Sequence, residues 1–246
     1  MTIKKKHSIK APIKTLALGT KQTRKKANKD VTPPPLEEKI RADFPIIGIG
    51  ASAGGLAAFE AFFSAIPNGT EPGMAFVLVQ HLTPDHKSLL VDLIRSYTHM
   101  LVFEVTDGMA VQANCVYIIP PGRDMAFFGG RLQLLDPVVP RGHRQSIDFF
   151  FRSLAKELGA RAICIILSGT GYDGTEGLRA VKGEGGMIMV QDPDSAEFNG
   201  MPLSAIGTGL TDYQLLPAEM PAQILDYVAH TLHPALAATA GQDYLG

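Results

Sequence analysis

Three short segments of the chain each place one reactive side chain at the end of an apolar run. Gly50-Ala51-Ser52-Ala53-Gly54 carries a hydroxyl, Val79-Gln80-His81 an imidazole, and Ser168-Gly169-Thr170-Gly171-Tyr172-Asp173-Gly174 a carboxylate. These are the three groups of a serine hydrolase: an alcohol that attacks, a ring nitrogen that takes its proton, and an acid that orients the ring. In an open parallel sheet the strand C-termini face one crevice, so residues far apart in sequence can meet there.

The Gly-rich turn at Ser52 admits three readings. Gly48-Ile49-Gly50-Ala51-Ser52-Ala53 fits the dinucleotide fingerprint in its Ala-ending form. That reading needs an acid at the tip of the next strand to hold a ribose, but the second apolar run ends in Gln80-His81 and the next carboxylate is Asp85. Gly50-Ala51-Ser52-Ala53-Gly54 is also G-x-S-x-G, in which glycines let the chain turn sharply from strand to helix and lift the hydroxyl clear. The helix that follows would put partial positive charge where an oxyanion forms. The order Ser, His, Asp differs from the usual Ser, acid, His of that motif, although triads are defined by geometry. The third reading is structural: small residues permit tight packing, and Ser52 caps the helix.

Among seven histidines, His7, His230 and His233 fall near the termini, and His86 and His99 flank an expected helix. His143 sits in a polar loop, while His81 alone ends a strongly apolar strand, where general bases stand in open sheets. For the acid, three glycines around Asp173 imply an unusual backbone with exposed amides, which also suits a phosphate-binding turn or a helix cap. Asp192 and Asp194 compete for the role, but their Pro-containing turn points to capping.

The elements that must position these groups alternate. Short apolar runs at 44–49, 74–79, 101–105, 115–119, 162–167 and 187–190 read as strands, with helical stretches at 56–66, 86–98, 147–158 and 175–183. Ser146 reads as the N-cap of the third helix. Met125–Phe128 and Leu132–Leu135 flank Gly129-Gly130 as a hairpin with a primed turn. The fold expected is α/β: a doubly wound, mostly parallel sheet in a Rossmann-like three-layer arrangement, with an inserted antiparallel hairpin. Residues 201–206, 213–216 and a last helix near 218–232 complete it.

Composition narrows the classes further. Apolar residues make up 46% of the chain and charged residues 19%, as in a soluble globular domain. Residues 1–43 hold 12 Lys/Arg against 4 Asp/Glu, and the remainder 11 against 20. The first segment therefore reads as a basic, disordered tail and the rest as an acidic folded domain with no general nucleic-acid role. Cys115 and Cys164 sit inside apolar runs and read as buried, reduced thiols, with no metal or disulfide pattern. No apolar stretch is long enough to span a bilayer and no signal peptide is evident, so the expected compartment is cytoplasmic.

Ile49-Gly50-Ala51-Ser52-Ala53-Gly54-Gly55, Val79-Gln80-His81, His143-Arg144-Gln145-Ser146-Ile147-Asp148 and the segment Leu167–Gly174 together resemble the catalytic domain of chemotaxis protein-glutamate methylesterases. Gln191-Asp192-Pro193 to Phe198 and Met201-Pro202 match its later signature. The resemblance implies Ser52 as nucleophile, His81 as general base and acid, Asp173 as the residue orienting His81, and the backbone amide of Thr170 as an oxyanion donor. It also implies hydrolysis of γ-glutamyl methyl esters on the cytoplasmic region of chemoreceptors, with glutamine deamidation in some members, and no metal or organic cofactor. The phrases Gln80–Leu90 and Ile147–Ala155 look closest to the esterase half of methylesterase/methyltransferase fusion proteins, so an associated methyltransferase or kinase domain is an implied partner. The domain expected is 44–235, followed by a short tail at 236–246. The rival reading is a catalytically idle signalling module.

Overall fold

The computed structural model describes residues 43–67, 69–80, 89–138 and 144–232. They lie within one compact unit spanning 38–246. Residues 1–42 of the expected N-terminal tail, the expected tail at 236–246, His81, His86 and His143 fall outside the described residues.

Seven parallel strands form the main sheet: β1 (Ile46–Ala51), β2 (Ala75–Gln80), β3 (Leu101–Glu104), β5 (Cys115–Ile118), β8 (Ala162–Ile166), β9 (Met187–Gln191) and β10 (Tyr213–Leu215). Their spatial order is β10-β9-β8-β1-β2-β5-β3. The uninterrupted apolar runs follow from this arrangement, because a parallel strand is covered on both faces. All five residues of β8 are buried, as are all six of β1.

Alternation along each strand divides the core in two. Ile47, Ile49 and Ala51 of β1 point to the layer of α1 (Gly55–Ser64), α2 (Leu89–Tyr97) and α6 (Met220–Tyr227). There Phe62, Phe63 and Phe76 make mutual edge contacts with centroids 5.1–5.8 Å apart, a geometry that favours the aromatic quadrupole. Ile46 points the other way, to the layer of α3 (Ser146–Leu158), α4 (Thr175–Gly183) and α5 (Gly200–Ile206). The doubly wound, three-layer reading is therefore borne out.

The inserted hairpin is present as β6 (Asp124–Phe128) and β7 (Arg131–Leu135), with Gly129 and Gly130 both at positive φ, 56° and 77°. It belongs to a three-stranded sheet, because β4 (Met109–Ala110) pairs with β7. A two-residue strand shows no alternation that sequence could reveal.

Chain direction decides where a site can form. From β1 the chain passes through α1 to β2 on one side; from β8 it passes through α4 to β9 on the other. The C-terminal tips of β1 and β8, adjacent and in register up to Gly50–Ile166, thus diverge to opposite sides. That is a topological switch point, the place where open α/β sheets leave a crevice.

The glycines before Ser52 serve the packing of α3. A Cβ at Gly50 would stand 2.4 Å from Ile147 Cγ2, and one at Gly48 about 3.1 Å from the rings of Phe150 and Phe151. The backbone approach that the fingerprint encodes is an approach to a helix, and the dinucleotide reading loses its support. Gly50→Ala is expected to destabilise the fold by about 1–3 kcal/mol through overpacking. Ile147→Ala, which vacates the same space, should make the double variant more stable than the sum of the two losses by about 1 kcal/mol or more in denaturant titrations. Strict additivity would contradict the contact.

Candidate active site

Ser52 is the first residue beyond β1. Its backbone is bound on three sides: its N–H donates to the Ser168 carbonyl (3.0 Å), and its carbonyl accepts from Gly55 N–H (3.0 Å) and Gln80 Nε2 (3.4 Å). The chain then enters α1 through Gly54, at φ 72°, where a side chain is disfavoured. Gly54 is the N-cap, with no side-chain cap bond, so Ser52 does not cap α1. Nor is Ser52 itself strained: among the described residues Asn114 is the only non-glycine with positive φ. The half-buried Ser52 side chain stands against Gly169, where a Cβ would lie 3.0 Å from its own Cβ. Its hydroxyl makes no hydrogen bond to a described residue.

Ser168, the residue of β8's tip facing Ser52, is wholly committed. Its hydroxyl donates to the Ala53 carbonyl (2.9 Å) and accepts from Phe198 N–H (3.0 Å), and its N–H donates to Gln191 Oε1 (2.8 Å). Gln191 ends β9, is buried, and reaches on to Ser195 with Nε2. Gly169 N–H donates to the Phe198 carbonyl (2.9 Å). The segment 192–199 is thereby strapped across the tips of β8 and β1. Thr170 follows, exposed, and its N–H donates to no described residue.

Asp173 is buried in the loop leading to α4, and its two carboxylate oxygens accept N–H groups from the start of α3: Oδ2 from Ile147 and Oδ1 from Asp148, each at 3.0 Å. The expected N-cap is thereby corrected. Gln145 occupies that position without a side-chain bond, while Ser146 is inside the helix and donates its hydroxyl to Asp124 Oδ1 (2.8 Å). The first free N–H groups of α3 need an acceptor, and a carboxylate 25 residues or more along the chain supplies it. Asp192 caps its own turn, accepting from Asp194 N–H (2.9 Å), as expected.

Sequence reasoning missed Asp148. It is fully buried; Oδ1 accepts from Gly177 N–H in the first turn of α4 (2.5 Å), and Oδ2 has no partner among the described residues. A signal was present, since Asp148 falls within the apolar stripe of Ile147, Phe151 and Ala155, where an acid needs a reason. Burial pushes its carboxyl up to about 6; the Gly177 bond and Arg152 oppose that rise, and Asp173 and Glu176 add to it.

The described residues therefore place Ser52, Gly169-Thr170 and Asp173 on the chain segments leaving two adjacent strand tips. His81 lies one residue beyond Gln80, whose Cα pairs with Ala51, and is itself outside the described residues. His99 and His230 are exposed, the latter bonded to the Asp226 carbonyl. Among the described residues no cluster of three or more His, Cys, Asp or Glu could hold a metal, and no helix is long and apolar enough to cross a membrane.

The profile described as CheB methylesterase matches residues 47–224. A protein-glutamate methylesterase/protein-glutamine glutaminase of Rhizobium meliloti is 30% identical over 85% of this chain and 58% of its own length. One from Myxococcus xanthus is 35% identical over 67% of this chain and 48% of its own. An uncharacterised 104.1 kDa protein of Rhodobacter capsulatus is 42% identical over 56% of this chain but 14% of its own length. The chain thus spans about half the length of the named methylesterases it matches. The crystal structure of the Thermotoga maritima CheB methylesterase catalytic domain superposes with a TM-score of 0.69 at 28% identity, covering 75% of this chain and 99% of that one.

The raised Asp148 carboxyl has a consequence for stability. A folded-state value above the unfolded one means the folded chain holds an extra proton between about pH 4 and 6, so stability falls as pH rises through that window and levels off above it. Asp148→Asn removes the fall. Relative to the parent it should gain up to about 3 kcal/mol between pH 4 and pH 7 in denaturant titrations. A difference independent of pH would contradict the assignment.

Proposed function

Since the chain belongs to the CheB methylesterase family, we propose that it hydrolyses γ-glutamyl methyl esters on the cytoplasmic region of chemoreceptor-like proteins. Ser52 is the nucleophile, His81 the general base and acid, and Asp173 the carboxylate that orients His81. The observation that carries the proposal is the state of Ser52: a hydroxyl at the switch point, released from capping, on a backbone bound on three sides.

Ser52 Oγ attacks the ester carbonyl and passes its proton to His81. Asp173 accepts from the other ring nitrogen, holding the tautomer and stabilising the imidazolium. The same carboxylate accepts one α3 amide on each oxygen, and an ionised carboxylate can accept more than one bond per oxygen.

The oxyanion needs N–H donors not otherwise engaged. Those of Ser52 and Gly169 are engaged, and the resemblance to the family assigns the role to Thr170 N–H, which donates to no described residue. Methanol departs with the proton from His81, and water, deprotonated by the same ring, opens the acyl-enzyme to give the glutamate carboxylate. With a glutamine amide the identical steps release ammonia, the second activity in the relatives' names.

Ser52→Ala should cut methanol release from a methylated receptor fragment by about 10⁴-fold or more. A fluorophosphonate probe should label the parent protein at Ser52 and leave the variant unlabelled. Undiminished release would overturn the assignment, and an unlabelled parent would favour the idle signalling module.

A further inference from the structure

Asp173 and Asp148 form a crossed pair of helix caps. Asp173, two residues before α4, caps α3 through Ile147 and Asp148 N–H; Asp148, the third residue of α3, caps α4 through Gly177 N–H, the third residue of that helix. Two positive helix ends thus converge on two carboxylates. The contact is close: a Cβ at Gly177 would lie 2.7 Å from Phe151 Cβ and 3.1 Å from Asp148 Cα. Asp173 is consequently held from both directions, its side chain by α3 and its backbone by the first turn of α4, which Asp148 ties to α3.

We propose that Asp148 is a positioning residue for the esterase reaction, fixing Asp173, and through it His81, by joining the starts of α3 and α4. The proposal rests on the triad reading above. Asp148 is fully buried and one of its oxygens has no partner among the described residues, so its hold on Gly177 N–H is kept against a desolvation cost. Neither oxygen reaches the reacting atoms in this role. The effect runs through the backbone of 173–177, and a displacement of the orienting acid is felt in the chemical step rather than in substrate binding.

The test compares Asp148→Ala with Asp148→Asn, which keeps an acceptor for Gly177 N–H but carries no charge. Asp148→Ala is expected to lower kcat on a methylated receptor fragment by about 10–100-fold with KM within about twofold, and to slow fluorophosphonate labelling of Ser52 by a similar factor. Asp148→Asn should restore both to within about threefold of the parent. Should Asp148→Ala not fold, Asp148→Glu, whose acceptor is displaced by one methylene, takes its place with the same expectation. Parental kcat and labelling in the Ala or Glu variant overturns the proposal, as does an Asn variant no faster than Ala. A parent protein that the probe does not label removes the triad reading as well; a labelled parent insensitive to Asp148 removes this inference alone.

Discussion

The N–H groups at the start of a helix must find acceptors, and in this fold two helices begin at the same place. α3 and α4 resolve the demand jointly, each supplying or flanking the carboxylate that satisfies the other. The loop from β8 to α4 is held at Asp173 by this arrangement. Asp173 cannot drift without releasing the first turn of α3, and α3 cannot shift without meeting β1, because Ile147 lies against Gly50. Asp173 and the strand that leads to Ser52 are thus linked through one helix.

That linkage explains why glycine recurs where it does. A G-x-G sequence after a strand says that something approaches the backbone closely; it does not say what. In a dinucleotide fold the approaching group is a pyrophosphate, and here it is the face of α3 carrying Ile147, Phe150 and Phe151. The two cases cannot be told apart from the motif. The absence of an acid at the tip of β2 separated them in the sequence, and the packing of α3 gives the physical reason.

Much of the architecture was legible because its signals are local. Unbroken apolar runs such as Ile163–Ile166 mark strands covered on both faces, and the adjacent glycines at 129 and 130 specify a primed turn. The misses have a common cause in interactions between elements distant in sequence. Ser146 carries the residue type of a cap, yet the acceptor for α3 comes from Asp173; Asp148 looks like an ordinary first-turn acid, yet it serves another helix. Positional rules for capping assume that donor and acceptor belong to one helix, and at crossed helix starts that assumption fails. His81, the histidine singled out by the sequence, falls outside the described residues.

Two serines at adjacent strand tips show how structure sorts chemistry from scaffolding. Both follow apolar strands, both are followed within two residues by glycine, and their backbones are bonded to one another. Ser168 uses its hydroxyl twice, joining the Ala53 carbonyl to Phe198, and is almost fully buried. Among the described residues Ser52 bonds only through its backbone. A hydroxyl engaged as both donor and acceptor resists becoming a nucleophile, because attack would first have to break those bonds, whereas one held only by its backbone meets no such barrier. Ser168 and the strap from Gln191 to Phe198 therefore act as the frame. Ser52, whose hydroxyl bonds to no described residue and which is followed by the Ala53 amide, likewise unbonded to any described residue, is the alcohol on which the proposed chemistry rests.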